Sequence, residues 1–126
     1  MKKLVVDLDS TITLGDTSDY RNVSPNLEVI KQLTSYQEQG FIITIFTARN
    51  MRTHEGNIGL INVHTLPIIT EWLAKHSVPY DEIIVGKPWC GKDGFYIDDR
   101  AIRPSEFASM SFEEITDLLE KEKSCF

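Results

Sequence analysis

A chain of 126 residues can bury one hydrophobic core and is too short for two full-sized domains, so positions 1–126 read as a single domain. Its composition, 41% hydrophobic and 25% charged, is ordinary for a globular protein. The net charge of −6 argues against a general nucleic-acid binder, which needs a basic face to neutralise phosphates. It leaves phosphate chemistry open, because a bound metal ion inverts the local field. Two cysteines, Cys90 and Cys125, give neither a disulfide framework nor zinc spacing and suit a reducing compartment. The lysines at 2 and 3 imitate the start of a signal peptide, but Leu4-Val5-Val6 is cut off by Asp7 and Asp9. No run approaches the ~20 apolar residues of a membrane span. The expected setting is cytoplasmic.

In chain order, Leu4 to Leu8 reads as a short apolar strand running into acidic residues. Residues 10–23, rich in Thr, Asp, Gly and Asn, read as an irregular loop with room for a small hairpin. Ser24-Pro25 resembles an N-cap with proline in the first turn, and Gly40 a helix stop; between them Leu27, Ile30, Leu33 and Tyr36 form a stripe at spacing three. FIITIF, Phe41 to Phe46, is apolar throughout and predicts a strand covered on both faces. A polar loop to about Asn57 follows, then one helix from about Asn62 to His76 with Pro67 early in it. Ile83 to Val85 and Phe95 to Ile97 predict two more strands. Ser111-Phe112-Glu113-Glu114 matches a capping box, opening a last helix whose inward face is Phe112, Ile115, Leu118 and Leu119. Strands alternating with helices predict an α/β fold with a parallel sheet and right-handed crossovers, in which ligands bind beyond the carboxyl ends of the strands.

The chemically active residues follow the apolar runs directly. Asp7-Leu8-Asp9-Ser10-Thr11 follows the first, Thr47-Ala48-Arg49-Asn50 the second, Gly86-Lys87-Pro88 the third and Asp98-Asp99-Arg100 the fourth. Three carboxylates brought within about 4 Å repel by roughly 4 kcal/mol per pair at an effective dielectric near 20, so such a site holds a cation or raises its pKa values. Hard oxygen donors with open positions suit Mg²⁺. Either acidic pair alone is weak, since acidic residues at strand ends often cap helices; both together, with Thr47 and Lys87 between them, are not.

VVDLDST, FTARN, GKP and YIDD resemble, in order, the four motifs of the haloacid-dehalogenase (HAD) superfamily, and the set spans Asp7 to Asp99. Many members carry glycine after the second aspartate where this chain has Ser10, which removes no chemical group. The resemblance implies a three-layer α/β/α Rossmann-like sandwich and a Mg²⁺-dependent phosphatase. In it Asp7 is the nucleophile, Asp9 the general acid and base, and Thr47 and Lys87 hold the phosphoryl oxygens. Metal ligation falls to Asp7, Asp9 through its main-chain carbonyl, Asp98, and Asp99 directly or through water. Asp9 otherwise reads as an acceptor for loop amides, and Lys87 as a surface lysine with Lys92 as its rival.

Ala48, Arg49, Arg52 and His54 lie where a substrate would enter, though the stretch 50–57 also reads as an ordinary solvated loop. Arg49, Arg100 and Arg103 lie near the same edge, and each has Asp99 and Glu106 as alternative partners to substrate. Cys90, Trp72 and Trp89 read as packing residues. No independent cap domain fits between the motifs. The chain as a whole looks like small capless members associated with bacterial capsule and surface-polysaccharide synthesis. That implies a small phosphomonoester such as a sugar phosphate as partner, without a membrane or nucleic acid, and leaves room for a homo-oligomer. The alternatives are a polynucleotide phosphatase, a phosphomutase, and a non-enzymatic phosphoacceptor or binding domain. The last is disfavoured because receiver domains place the acidic pair first and the acceptor on a middle strand.

Overall fold

The computed structural model describes residues 2–126. The chain is α/β and divides into two compact units, residues 1–89 and 90–126. Among the described residues no helix is long and apolar enough to cross a membrane.

The first unit is built on a parallel three-stranded sheet in the order β1 (Lys3–Val6), β4 (Ile42–Thr47), β5 (Glu82–Val85). Val6 pairs with Ile45, and Thr47 with Val85, so the carboxyl ends of the three strands finish almost level. The FIITIF run forms the central strand as expected, with Ile43, Thr44, Ile45 and Thr47 all buried. The crossover from β1 contains a small antiparallel pair, β2 (Thr13–Leu14) with β3 (Ser24–Pro25), and then helix α1 (Leu27–Glu38). Ser24-Pro25 is therefore strand, not helix start. Asn26 caps α1 instead, its side chain accepting from Val29 N, because pairing with Thr13 holds Pro25 extended. Ile30, Leu33 and Tyr36 are buried as the stripe predicts and Val29 joins them, while Leu27 in the first turn is 69% exposed.

The single helix expected over 62–76 is two. Helix α2 (Ile58–His64) begins earlier, capped by Asn57, and α3 (Leu66–Lys75) follows after a break at Thr65. Pro67 supplies the reason: it lacks an N–H and its ring crowds the carbonyl four residues back, so a continuous helix would be strained there. Helix α1 packs on β4 and α2 on β5.

Trp72 anchors this unit. It is 2% exposed, and its indole Nε1 donates to the Val23 carbonyl at 2.9 Å. Trp72→Ala is expected to cost about 3–5 kcal/mol, from lost burial, the cavity left behind and the stranded carbonyl, read from urea denaturation midpoints. Trp89, also expected to pack, is half exposed.

The second unit contains α4 (Pro104–Ser109), α5 (Phe112–Glu122) and a short 3₁₀ turn (Lys123–Cys125). The capping box of α5 is present in both directions: Glu114 N donates to Ser111 Oγ at 3.1 Å, and Ser111 N donates to the Glu114 carboxylate at 3.0 Å. Ile115 is its buried residue, while Phe112, expected inward, is half exposed. The strand expected over Phe95–Ile97 does not form. A strand needs a ladder partner, and this unit consists of helices and loops, so Phe95 and Ile97 stay uncovered within it.

Candidate active site

Asp7, Thr47 and Lys87 stand at the carboxyl ends of three neighbouring parallel strands. Beyond β1 the chain turns sharply. The buried Leu8 carbonyl accepts from the N–H groups of Thr11, Ile12 and Thr13 at 3.3, 2.9 and 3.1 Å. The turn puts Ser10 in the left-handed region (φ 61°), and its N–H donates to Thr13 Oγ1 at 3.0 Å. A side chain in that conformation costs roughly 1–2 kcal/mol, so glycine would sit there more easily. Ser10 nevertheless keeps the turn that carries Asp7 and Asp9.

Lys87 Nζ lies 3.6 Å from Asp7 Oδ1, and Thr11 Oγ1 donates to Asp7 Oδ2 at 3.3 Å. Burial pushes the Asp7 carboxyl above its ordinary value, and the charge of Asp9 adds to that push. The Lys87 ammonium, the Leu8 amide and the Thr11 hydroxyl oppose it without cancelling it. Gly86, at φ 89°, turns the chain out of β5, after which Lys87 N donates to the Thr47 carbonyl at 3.1 Å. That positive φ calls for glycine there, and a Cβ would also displace the Ile58 side chain, whose Cδ1 would lie 2.6 Å away.

Thr47 is buried, and its Oγ1 accepts from Arg49 N at 3.1 Å. Arg49, expected to face substrate, is buried instead, its side chain 1% exposed. Its guanidinium forks onto Asp9, Nη2 to Oδ1 at 2.7 Å and Nε to Oδ2 at 3.2 Å. Its Cζ lies 4.0 Å from the centre of the Tyr20 ring. Asp9 is thus held by a charged side chain and not by loop amides. Tyr20 and Thr11, neither of them assigned a role from the sequence, complete this cluster. Thr11 belongs to the DxDST stretch and was open to notice, whereas Tyr20 lies in an irregular loop whose path no periodicity marks.

The 50–57 loop is ordered by its own turns. Asn50, at φ 60°, accepts from the buried Thr65 hydroxyl at 2.8 Å and donates to Thr53 Oγ1 at 3.2 Å. The break between α2 and α3 therefore anchors the loop that follows Thr47. Arg52 is exposed, and Ala48 and His54 are partly so, with the His54 ring centre 5.8 Å from that of His64.

Asp98 and Asp99 belong to the second unit. There Asp98 accepts from Arg100 N at 2.8 Å, and Asp99 with Arg100 lines a surface cleft completed by Leu119, Glu122, Lys123 and Phe126. Lys92 and Cys90 lie in that unit too. Among the described residues no three His, Cys, Asp or Glu side chains gather as a metal-ligand set. The first unit offers a cation the Asp7 carboxylate, a hard oxygen donor of the kind Mg²⁺ takes.

No protein-family model matches the chain, and no curated protein does. Among solved structures it is 74% identical to the crystal structure of a structural-genomics target from Vibrio cholerae, over 97% of this chain and 99% of that one, with a TM-score of 0.95. A chain of the Pnkp1/Rnl/Hen1 complex shares the fold at 22% identity and a TM-score of 0.52, over 86% of this chain and 34% of its own.

Proposed function

The chain belongs to one family with that Vibrio cholerae protein, and from the site we propose that it is a phosphomonoester phosphatase acting through Asp7. In this reading it is a capless HAD-like three-layer sandwich, and its substrate is a sugar phosphate of polysaccharide synthesis. The observation that carries the proposal is the meeting of a desolvated carboxylate, an ammonium and a threonine at three adjacent strand ends, with a second carboxylate two residues from the first.

Asp7, once ionised, attacks phosphorus, and the bond to the leaving oxygen breaks. Asp9 gives that oxygen its proton. Asp9 then takes a proton from the water that attacks the aspartyl-phosphate, which releases inorganic phosphate and restores Asp7. Lys87 and the Thr47 hydroxyl supply positive charge and a donor to the phosphoryl oxygens as their charge spreads. Mg²⁺, held at Asp7, would supply additional charge neutralisation.

The test is hydrolysis of p-nitrophenyl phosphate with Mg²⁺ and with EDTA, followed by a panel of substrates. Turnover is expected to require the metal and to return when Mg²⁺ is restored; full turnover in EDTA would sink the metal-dependent mechanism. A phosphorylated oligonucleotide belongs in the panel beside hexose phosphates, as the test of the polynucleotide-phosphatase alternative. The net charge of −6 weighs towards the small substrates.

A further inference from the structure

We infer that Arg49 is a positioning residue for Asp9, its buried guanidinium fixing the plane of the proton-transferring carboxylate while Tyr20 covers the guanidinium. The inference deepens the phosphatase reading and rests on it.

Two bonds to two different oxygens, at 2.7 and 3.2 Å, leave the Asp9 carboxylate no freedom to rotate about its terminal bond. Each oxygen keeps a second lone pair for a proton in transit. Arg49 is itself tied through its main chain, since its N–H is bonded to the Thr47 hydroxyl, so the second motif sets the orientation of the first.

Burial shows what the arrangement favours. A counter-charge alone could sit at the surface, as a lysine does elsewhere on this unit beside Glu82. Here the guanidinium is buried, and its Nη1 has no hydrogen-bond partner among the described residues, an arrangement that costs stability. Tyr20, stacked at 4.0 Å, keeps the group desolvated and offers its ring face to the cation. What the cluster gains is orientation. A direct contact between Arg49 and substrate is disfavoured, because the side chain is 1% exposed.

A double-mutant cycle with Asp9→Asn decides the matter. With p-nitrophenyl phosphate and a poorer alkyl phosphate leaving group, Arg49→Lys keeps the charge and loses the fork. It is expected to lower kcat by about 10- to 100-fold, most with the alkyl phosphate, and to leave KM within about twofold. In the Asp9→Asn background the same substitution is expected to change kcat by less than about twofold. Tyr20→Leu should repeat the pattern at about 3- to 10-fold. Guanidinium ion added to Arg49→Ala should restore part of the lost kcat, a rescue that a purely structural role would not give. Equal losses in both backgrounds, or a loss confined to KM, would overturn the inference and leave the phosphatase reading standing. An Asp7→Asn variant as active as the parent would remove both together.

Discussion

Asp7→Asn is expected to abolish turnover and, at neutral pH, to raise the melting temperature of the chain. The loss of activity follows from the loss of the attacking oxygen; removing a nucleophile of this kind typically costs on the order of 10⁴-fold or more. The gain in stability follows from the sign of the Asp7 shift. Burial raises its carboxyl above the ordinary 3.8, and the Lys87 ammonium only partly offsets this. A group whose folded-state pKa is raised contributes stability that is fully present below the unfolded value and lost as pH rises through the folded value. At neutral pH the ionised, desolvated Asp7 is thus a net burden on the fold, and asparagine removes it. Melting temperatures of parent and variant should agree at about pH 3 and diverge, the variant higher, as pH rises towards about 7. A parent more stable than the variant at neutral pH would mean that the attraction of Lys87 outweighs burial.

Lys87→Met is expected to lower kcat by about 10²- to 10³-fold, the usual consequence of deleting a donor aimed at developing charge. It also removes the main attraction that pulls the Asp7 pKa down, so the acidic limb of the kcat profile should move to higher pH than in the parent. Lys87→Arg should recover only part of the rate, since a planar fork does not reproduce a point charge 3.6 Å from Asp7. The measurement is kcat against pH for the parent, the two Lys87 variants and Lys92→Met. If Lys92→Met carries the larger loss and Lys87→Met leaves the profile in place, the phosphoryl contact belongs to Lys92.

The arrangement of strand ends is largely legible in the sequence. Continuous apolar runs mark the covered strands, and in a parallel sheet the residues that follow such runs share one edge, which places Asp7, Thr47 and Lys87 together. The capping box at Ser111 was equally plain, because both of its hydrogen bonds are local. Most of what failed depended on partners distant in sequence. Pro25 looks like a helix start until Thr13 pairs with it, and the helix expected over about 62–76 begins earlier and breaks at Thr65, where Pro67 cannot continue it. Phe95–Ile97 has the composition of a strand, but composition supplies no ladder partner. Arg49 was misplaced because a charged residue after a strand is ordinarily solvent-facing. Its burial follows from the reach of Asp9 and Tyr20, 40 and 29 positions earlier in the chain.

The main-chain bonds beneath the site have a consequence for how the molecule opens. Leu8 accepts three amides at the tip of β1, and Lys87 is stitched to the central strand through the Thr47 carbonyl. The reactive side chains therefore hang from the same ladder that holds the sheet together, not from a loop that frays independently. Amide exchange around Asp7 and Lys87 should then follow the slow, cooperative opening of the sheet, whereas the 50–57 loop, closed by its own short turns, can exchange by local openings. Loss of the candidate site's geometry and loss of the first unit's fold would be one event seen by two probes.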